Sequence, residues 1–245
     1  MGYHWNWGIF LEHVKGGEET YLDWLVSGLG WTIAVSLSAW AVAFVVGVAV
    51  GTARTIPKAW LATIAFAWVE LFRNVPLLVQ LFLWFFVVPE LLPKELSLWV
   101  KQDMPAKEFV TATLCLGLFT SARVAEQVRS GIESLARGQR LAGLALGFTL
   151  TQTYRYVILP VAFRIITPPL TSELMNIFKN SSVAFAIGVL ELTFQARQMQ
   201  EDSEQGIETY LAVTVLYFIC AFTANRVMAV VEQRNNIPGY ISTPR

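Results

Sequence analysis

Five ionisable side chains, Glu70, Arg73, Arg164, Glu173 and Lys179, stand inside or against long apolar stretches of this chain. Charge at membrane depth is costly, so such groups face a bundle interior, a cavity or one another. A cation held there can take a carboxylate, and a carboxylate can take an ammonium. That chemistry is recognition of charge rather than bond breaking. Glu70 and Arg73 are three residues apart, on one helix face and within pairing range. They read either as part of a pathway, with Asn74 and Gln80 offering hydrogen bonds, or as an interfacial pair with Arg73 reaching to headgroups. Ser172, Asn176 and Lys179 recur at helical spacing, with Glu173 and Asn180 on a neighbouring stripe. Such a polar strip on an apolar helix either meets a solute or knits two chains together. His4 and His13 are too few for a metal site, and Cys115 and Cys220 sit in apolar runs without zinc or disulfide spacing. No carboxylate dyad, nucleophile triad or metal cluster is legible.

The elements that must position these groups are apolar. Hydrophobic residues make up 55% of the chain and charged residues 15%, against about 25% charged in a soluble domain. This excludes disorder and disfavours a soluble protein. Equal numbers of basic and acidic residues leave no bulk field for nucleic acid. A membrane helix needs about 20 mostly apolar residues. Five regions approach that length: 31–52; 59–88, interrupted by Glu70 and Arg73; 109–122; 156–186; and 211–231. A buried core helix is the alternative for any one of them, and five at this low charge disfavour it. Residues 1–30 are acidic and lack a basic n-region, so the first span is expected to remain in the mature protein.

The segments between these regions alternate in sign. The N-terminal segment, 89–108 and 191–208 are negative, whereas 53–60, 123–155 and the tail from 226 are positive. The excess of Lys and Arg on cytoplasmic loops then places the N-terminus outside and the C-terminus in the cytoplasm, with about five spans. Pro168-Pro169 stands within 160–190, so that segment is either one helix or a helix with a break. Freed backbone groups at a break would need protein or water, which turns this segment toward the interior.

Residues 129–155 are too apolar for a plain loop. Ile132, Leu135, Leu141, Leu144, Ala145 and Leu146 recur at roughly helical spacing, and Gly143 and Gly147 form a small-xxx-small step. A helix pair on the membrane surface with a small-residue face fits this pattern; an amphipathic helix that only anchors the chain fits it equally. Gly47 and Gly51 form a second such step, read as a helix-packing face, and several tryptophans read as an interface belt.

Leu141-Ala142-Gly143, Gly147 and Val157-Ile158-Leu159-Pro160 resemble the signature loop of ABC importer permeases, with Leu141 in place of its glutamate and Gly143 in place of its second alanine. The run from Glu70 to Gln80 (ELFRNVPLLVQ), together with Lys179-Asn180-Ser181-Ser182, Ile187-Gly188-Val189 and Glu191-Leu192, resembles the polar amino acid branch of that family. The N-terminal WNWGIF with Arg73-Asn74-Val75-Pro76 resembles glutamate/aspartate importer permeases in particular. The resemblance covers residues 25–232, nearly the whole chain.

The resemblance implies an all-α membrane protein with the type I ABC importer transmembrane fold. It divides the chain into an external segment 1–24, a permease domain 25–232 with a cytoplasmic coupling loop 129–155, and a cytoplasmic tail 233–245. It implies a multi-pass permease of the bacterial inner membrane for polar amino acids, glutamate and aspartate first. The implied partners are two ATPase subunits, a second homologous permease chain, an external periplasmic solute-binding protein and membrane lipid, with no nucleic acid. No G-x-x-x-x-G-K-[ST] loop is present, so no cofactor is expected on this chain and ATP is used by the partner ATPase. Leu141, Ala142, Gly143, Gly147, Leu159 and Pro160 are the implied coupling residues. Candidates for the substrate path are Arg73, Asn74, Gln80, Arg164, Glu173, Asn176, Lys179, Asn180, Ser181 and Ser182, with Lys179 or Arg164 facing carboxylate and Glu173 facing ammonium. The competing readings are a permease for glutamine or another polar amino acid, an ion-coupled secondary transporter, and a structural membrane protein.

Overall fold

The structure, a computed structural model, describes residues 3–235, so most of the expected tail 233–245 lies outside the described residues. Among the described residues the chain is helical between short connections, with one antiparallel bridge joining His13 and Thr20. Helix α1 spans Tyr21–Ala53 and α2 spans Ala59–Asn74. Then come α3 (Leu77–Phe82), a π-helical turn, α4 (Val88–Leu91) and α5 (Lys94–Leu98). Helix α6 covers Lys107–Glu133, followed by α7 (Arg137–Ala145), α8 (Leu150–Thr153) and α9 (Leu159–Asn180). Helices α10 (Leu192–Ser203) and α11 (Gly206–Asn235) complete the described chain.

Among the described residues, four helical stretches are long and apolar enough to cross a membrane: Tyr21–Ala53, Lys107–Glu133, Leu150–Ile187 and Gly206–Arg234. The fifth expected region is a bent pair, Ala59–Asn74 and Leu77–Leu91, which makes five if the pair crosses as one span. Its break falls at Val75, held extended (φ −96°, ψ 130°) as a residue before proline must be. The apolar window of α6 is 61% buried, against 28% in α1 and 28% in α11. The latter two therefore keep broad apolar faces for lipid.

Two boundaries differ from the sequence reading, and one open alternative is decided. Helix α6 continues through Arg123, Glu126 and Arg129 to Glu133, so the first third of the expected loop 123–155 is helix. The expected loop 191–208 holds α10, which buries Leu192, Gln195, Ala196 and Met199. The helix through Pro168-Pro169 is not broken. Thr167 Oγ1 donates to the Phe163 carbonyl (2.8 Å) and Thr171 Oγ1 to the Thr167 carbonyl (3.1 Å), giving polar support beside the missing amides. The change of helix type comes later, in the 3-10 turn Ser181–Ile187, which ends at Gly188 with φ +92°.

The chain forms two compact units. The first comprises, among the described residues, 3–40, 76–117 and 176–222. Its core joins Leu25, Leu192, Ala196 and Val213. Glu191, fully buried, caps α10 by accepting the Thr193 and Phe194 amides at 3.0 and 2.9 Å, and also accepts the Tyr217 hydroxyl. Burial pushes the Glu191 carboxyl up from its ordinary value, against these hydrogen bonds. The Leu192 amide donates to Thr32 Oγ1 at 3.1 Å. The N-terminal segment is stitched to the same unit: Asn6 N–H donates to Glu208 at 2.8 Å and the Tyr21 hydroxyl to Asp202 at 2.5 Å.

The second unit comprises, among the described residues, 41–75, 118–175 and 223–235. Here α1 lies against α6 through the expected small-residue step: a Cβ on Gly47 would come 2.6 Å from Val124, and one on Gly51 2.5 Å from the Ala125 carbonyl. Gly131 gives α6 the same closeness to α9, at 2.3 Å from Ile166. In lipid such approaches gain van der Waals packing rather than hydrophobic burial. Trp68 donates to Ser121 at 3.2 Å, tying α2 to α6.

Candidate functional site

Charge collects in the second unit. Arg73 from α2, Arg123, Glu126, Gln127, Arg129 and Ser130 from α6, and Glu173 from α9 line an open cleft of about 600 Å³. Arg123, Glu126, Gln127 and Ser130 recur at i, i+3, i+4 and i+7, so a single helix face presents them. Glu126 is the hub. Its Oε2 accepts from Arg129 Nη2 at 2.9 Å and Nε at 3.1 Å. Its Oε1 accepts from Arg54, with Arg73 Nη1 4.0 Å from the same oxygen. Arg129 also pairs with Glu133. The buried Glu173 lies 3.9 Å from Arg123 Nη1, and the Arg123 guanidinium stacks 5.1 Å above Phe119. The lining carries three arginines and two carboxylates, an excess of one positive charge. Arg54 stands behind the cleft, over the Phe66 ring at 5.4 Å. Burial, and then the Arg129 cation, pull Arg54 below the usual arginine value.

Of the sequence candidates, the cleft therefore gathers Arg73 and Glu173. Arg123, Glu126 and Arg129 were missed because the apolar run stops at Ala122, and their charges read as a loop. Their helical spacing was the available signal. The expected Glu70–Arg73 pair is replaced: Asn74 Nδ2 donates to Glu70 at 2.9 Å, and Arg73 turns to Glu126. Arg164 is exposed on α9 and does not line the cleft.

The remaining candidates belong to the first unit. Gln80 is buried in α3. Asn176 is half-buried and Lys179 exposed on α9. Asn180 and Ser181 line a narrow crevice with Leu77, Leu81, Val183 and Ala184. Ser181 and Ser182 donate to the Phe178 and Lys179 carbonyls, each at 2.8 Å. Their hydroxyls thus close the end of α9.

The segment 137–153 is two short helices and a turn, and a π-helical turn, Tyr154–Ile158, leads from it into α9. Gly147 takes φ +85°, the left-handed turn between α7 and α8. Thr149 and Gln152 start α8 with a reciprocal capping box, the Thr149 amide donating to Gln152 Oε1 at 2.8 Å and the Gln152 amide to Thr149 Oγ1 at 3.2 Å. Gly143 faces inward, where a Cβ would lie 2.9 Å from Thr153 Cγ2. The two glycines of the expected step therefore do different work, one packing and one turning. What points outward is apolar: Leu141 is 60% exposed and Leu146 77%, with Leu144 and Phe148 beside them. Ala142 is exposed, Leu159 half-buried and Pro160 exposed. Behind α7 lies a second cavity, of about 510 Å³, lined by Arg54, Thr55, Glu133, Gln139, Arg140 and Tyr154 among others.

Residues 43–237 match the family described as "Binding-protein-dependent transport system inner membrane component". The chain is 47% identical over 241 residues to the glutamate/aspartate import permease protein GltJ of Escherichia coli (strain K12), covering 98% of each. It is 31% identical over 214 residues to the glutamine transport system permease protein GlnP of the same organism, covering 87% of this chain and 93% of that one. The fold is similar to a chain of "Crystal structure of an amino acid ABC transporter with histidines", with a TM-score of 0.74, 28% identity and coverage of 87% and 95%.

Proposed function

Because the chain belongs to the binding-protein-dependent transport system inner membrane component family, we propose that it is the permease subunit through which glutamate and aspartate cross the bacterial inner membrane. The observation that carries the substrate class is the charge of the cleft. Glutamate and aspartate are net anions with two carboxylates and one ammonium. Three arginines and two carboxylates, with one positive charge in excess, suit that pattern. Arg73 and Arg123 serve the carboxylates, and Glu173 serves the ammonium. Arg164, Asn176, Lys179 and Asn180 are further path candidates. A neutral solute such as glutamine has no use for the excess cation.

In this reading the N-terminus is outside and the C-terminus cytoplasmic. A loaded external binding protein delivers the amino acid, and two ATPase subunits drive a paired permease between outward and inward access. Exposed Leu141, Leu144 and Leu146 on a short, rigidly turned helix pair provide an apolar ridge for an ATPase groove. Gly143 and Gly147 hold that ridge in shape, and Leu159 and Pro160 open the helix that carries its motion into the span.

The assembled complex in proteoliposomes, with ATP inside and loaded binding protein outside, tests this. Accumulation of L-glutamate and L-aspartate well above L-glutamine is expected. A preference for glutamine would overturn the acidic reading, and the absence of ATP-dependent uptake of any amino acid would overturn the transport reading.

A further inference from the structure

Glu126 has two suitors on one oxygen. Arg54 hydrogen-bonds to Oε1, and Arg73 waits 4.0 Å from it. An N–H···O bond forms at about 2.9 Å, so roughly 1 Å of approach would convert this long ion pair into a hydrogen bond. The two arginines belong to different cavities. Arg73 lines the charged cleft, whereas Arg54 lines the cavity behind α7. Arg54 also opens the connection between α1 and α2, and that connection is gripped from the far side. The buried Tyr154 donates its hydroxyl to the Thr55 carbonyl at 2.8 Å, with Thr55 Oγ1 at 3.2 Å. Tyr154 directly follows Thr153, the residue on which Gly143 of α7 rests. A displacement of α7 thus has a contiguous route through Thr153, Tyr154 and Thr55 to Arg54.

We propose that Arg54 is a positioning residue that keeps the Arg73–Glu126 ion pair long, so that the segment carrying the coupling helix sets how much positive charge the cleft offers an anionic amino acid. While Arg54 keeps Glu126, Arg73 holds only this long pairing, and its guanidinium can take a substrate carboxylate. When the Tyr154 contact draws the 54–58 connection away, Glu126 closes on Arg73, and the substrate loses a partner. The state that binds the anion and the state that releases it differ by this exchange, which supplies the differential affinity a population shift requires. The proposal rests on the acidic amino acid permease reading.

The test uses the complete complex, with its ATPase subunits, second permease chain and binding protein, in proteoliposomes. Two readouts are taken: L-glutamate uptake, and ATPase stimulation by loaded binding protein. In Arg54→Gln, uptake should fall by about tenfold, the scale of one lost charge-assisted contact, while stimulation persists. Arg54→Gln with Glu126→Gln removes the competitor as well as its keeper, and uptake should return to within about threefold of the parent. Arg54→Lys keeps the charge and should retain most of the uptake. Tyr154→Phe should lower glutamate moved per ATP. Parent-like uptake in Arg54→Gln, or an assembled double variant as poor as the single one, overturns the proposal. If Arg54→Gln alone fails to assemble, recovery of assembly and uptake together in the double variant supports it, and recovery of assembly without uptake overturns it. If neither assembles, Arg54→Lys decides, with loss of uptake overturning it. A parent complex that moves neither glutamate nor aspartate is a failure of the permease reading instead.

Discussion

Single carboxylates organise both units. Glu126 collects arginines in the charged cleft, Glu191 closes the start of α10, and Asp202 ties down the N-terminal segment. The Asp202 carboxyl is held below its ordinary value of 3.8 chiefly by the Tyr21 hydroxyl, helped by the Lys15 amide and cation. A depressed pKa stabilises the fold above the unfolded value and ceases to do so as pH falls through the folded one. Attachment of residues 14–20 is therefore complete near neutral pH, begins to weaken below about 3.8, and is lost as pH falls further. Hydrogen exchange of those amides, corrected for intrinsic rates, should show the loss, and Asp202→Asn should remove the pH dependence. An acid-insensitive parent would contradict this role for Asp202.

At the scale of elements, the helix pair α7–α8 is specified by three local devices: the inward Gly143, the left-handed Gly147 and the Thr149–Gln152 capping box. Gly143 is the least replaceable in space, because even a methyl group would meet the fully buried Thr153. Gly143→Val should push α7 off α8, at a cost of about 1–3 kcal/mol for overpacking. Its expected signature is specific: the permease pair still assembles in the membrane, but binding-protein-stimulated ATPase activity drops. Co-purification and ATPase assays on the same sample separate this from general misfolding. Normal stimulation in the variant would show that the precise seat of α7 is unimportant.

At the scale of the whole molecule, orientation is the claim to test. The proposed orientation, argued from alternating loop charge, has Arg140 in the cytoplasm and Glu201 outside. Both side chains are exposed, and the native thiols, Cys115 and Cys220, are buried. In a background with both native cysteines replaced by serine, a membrane-impermeant maleimide should label Glu201→Cys in intact cells. It should label Arg140→Cys only after the membrane is opened. The reverse pattern would invert the chain and separate α7 from the compartment that holds ATP.

The residues in order were enough to establish an all-helical membrane chain, the apolar regions, the packing role of Gly47 and Gly51, and the permease resemblance. Hydropathy over about 20 residues, helical spacing and short motifs are local properties, and each is complete within one stretch of chain. Only the tertiary structure decided that α6 runs on through Arg123, Glu126 and Arg129, that Pro168-Pro169 leaves α9 whole, and that Gly143 and Gly147 have separate tasks. It alone decided that Glu126 stands between Arg54 and Arg73. These outcomes turn on through-space distances of a few ångströms between groups far apart in sequence, and a charge in the chain does not name its partner until the helices are packed.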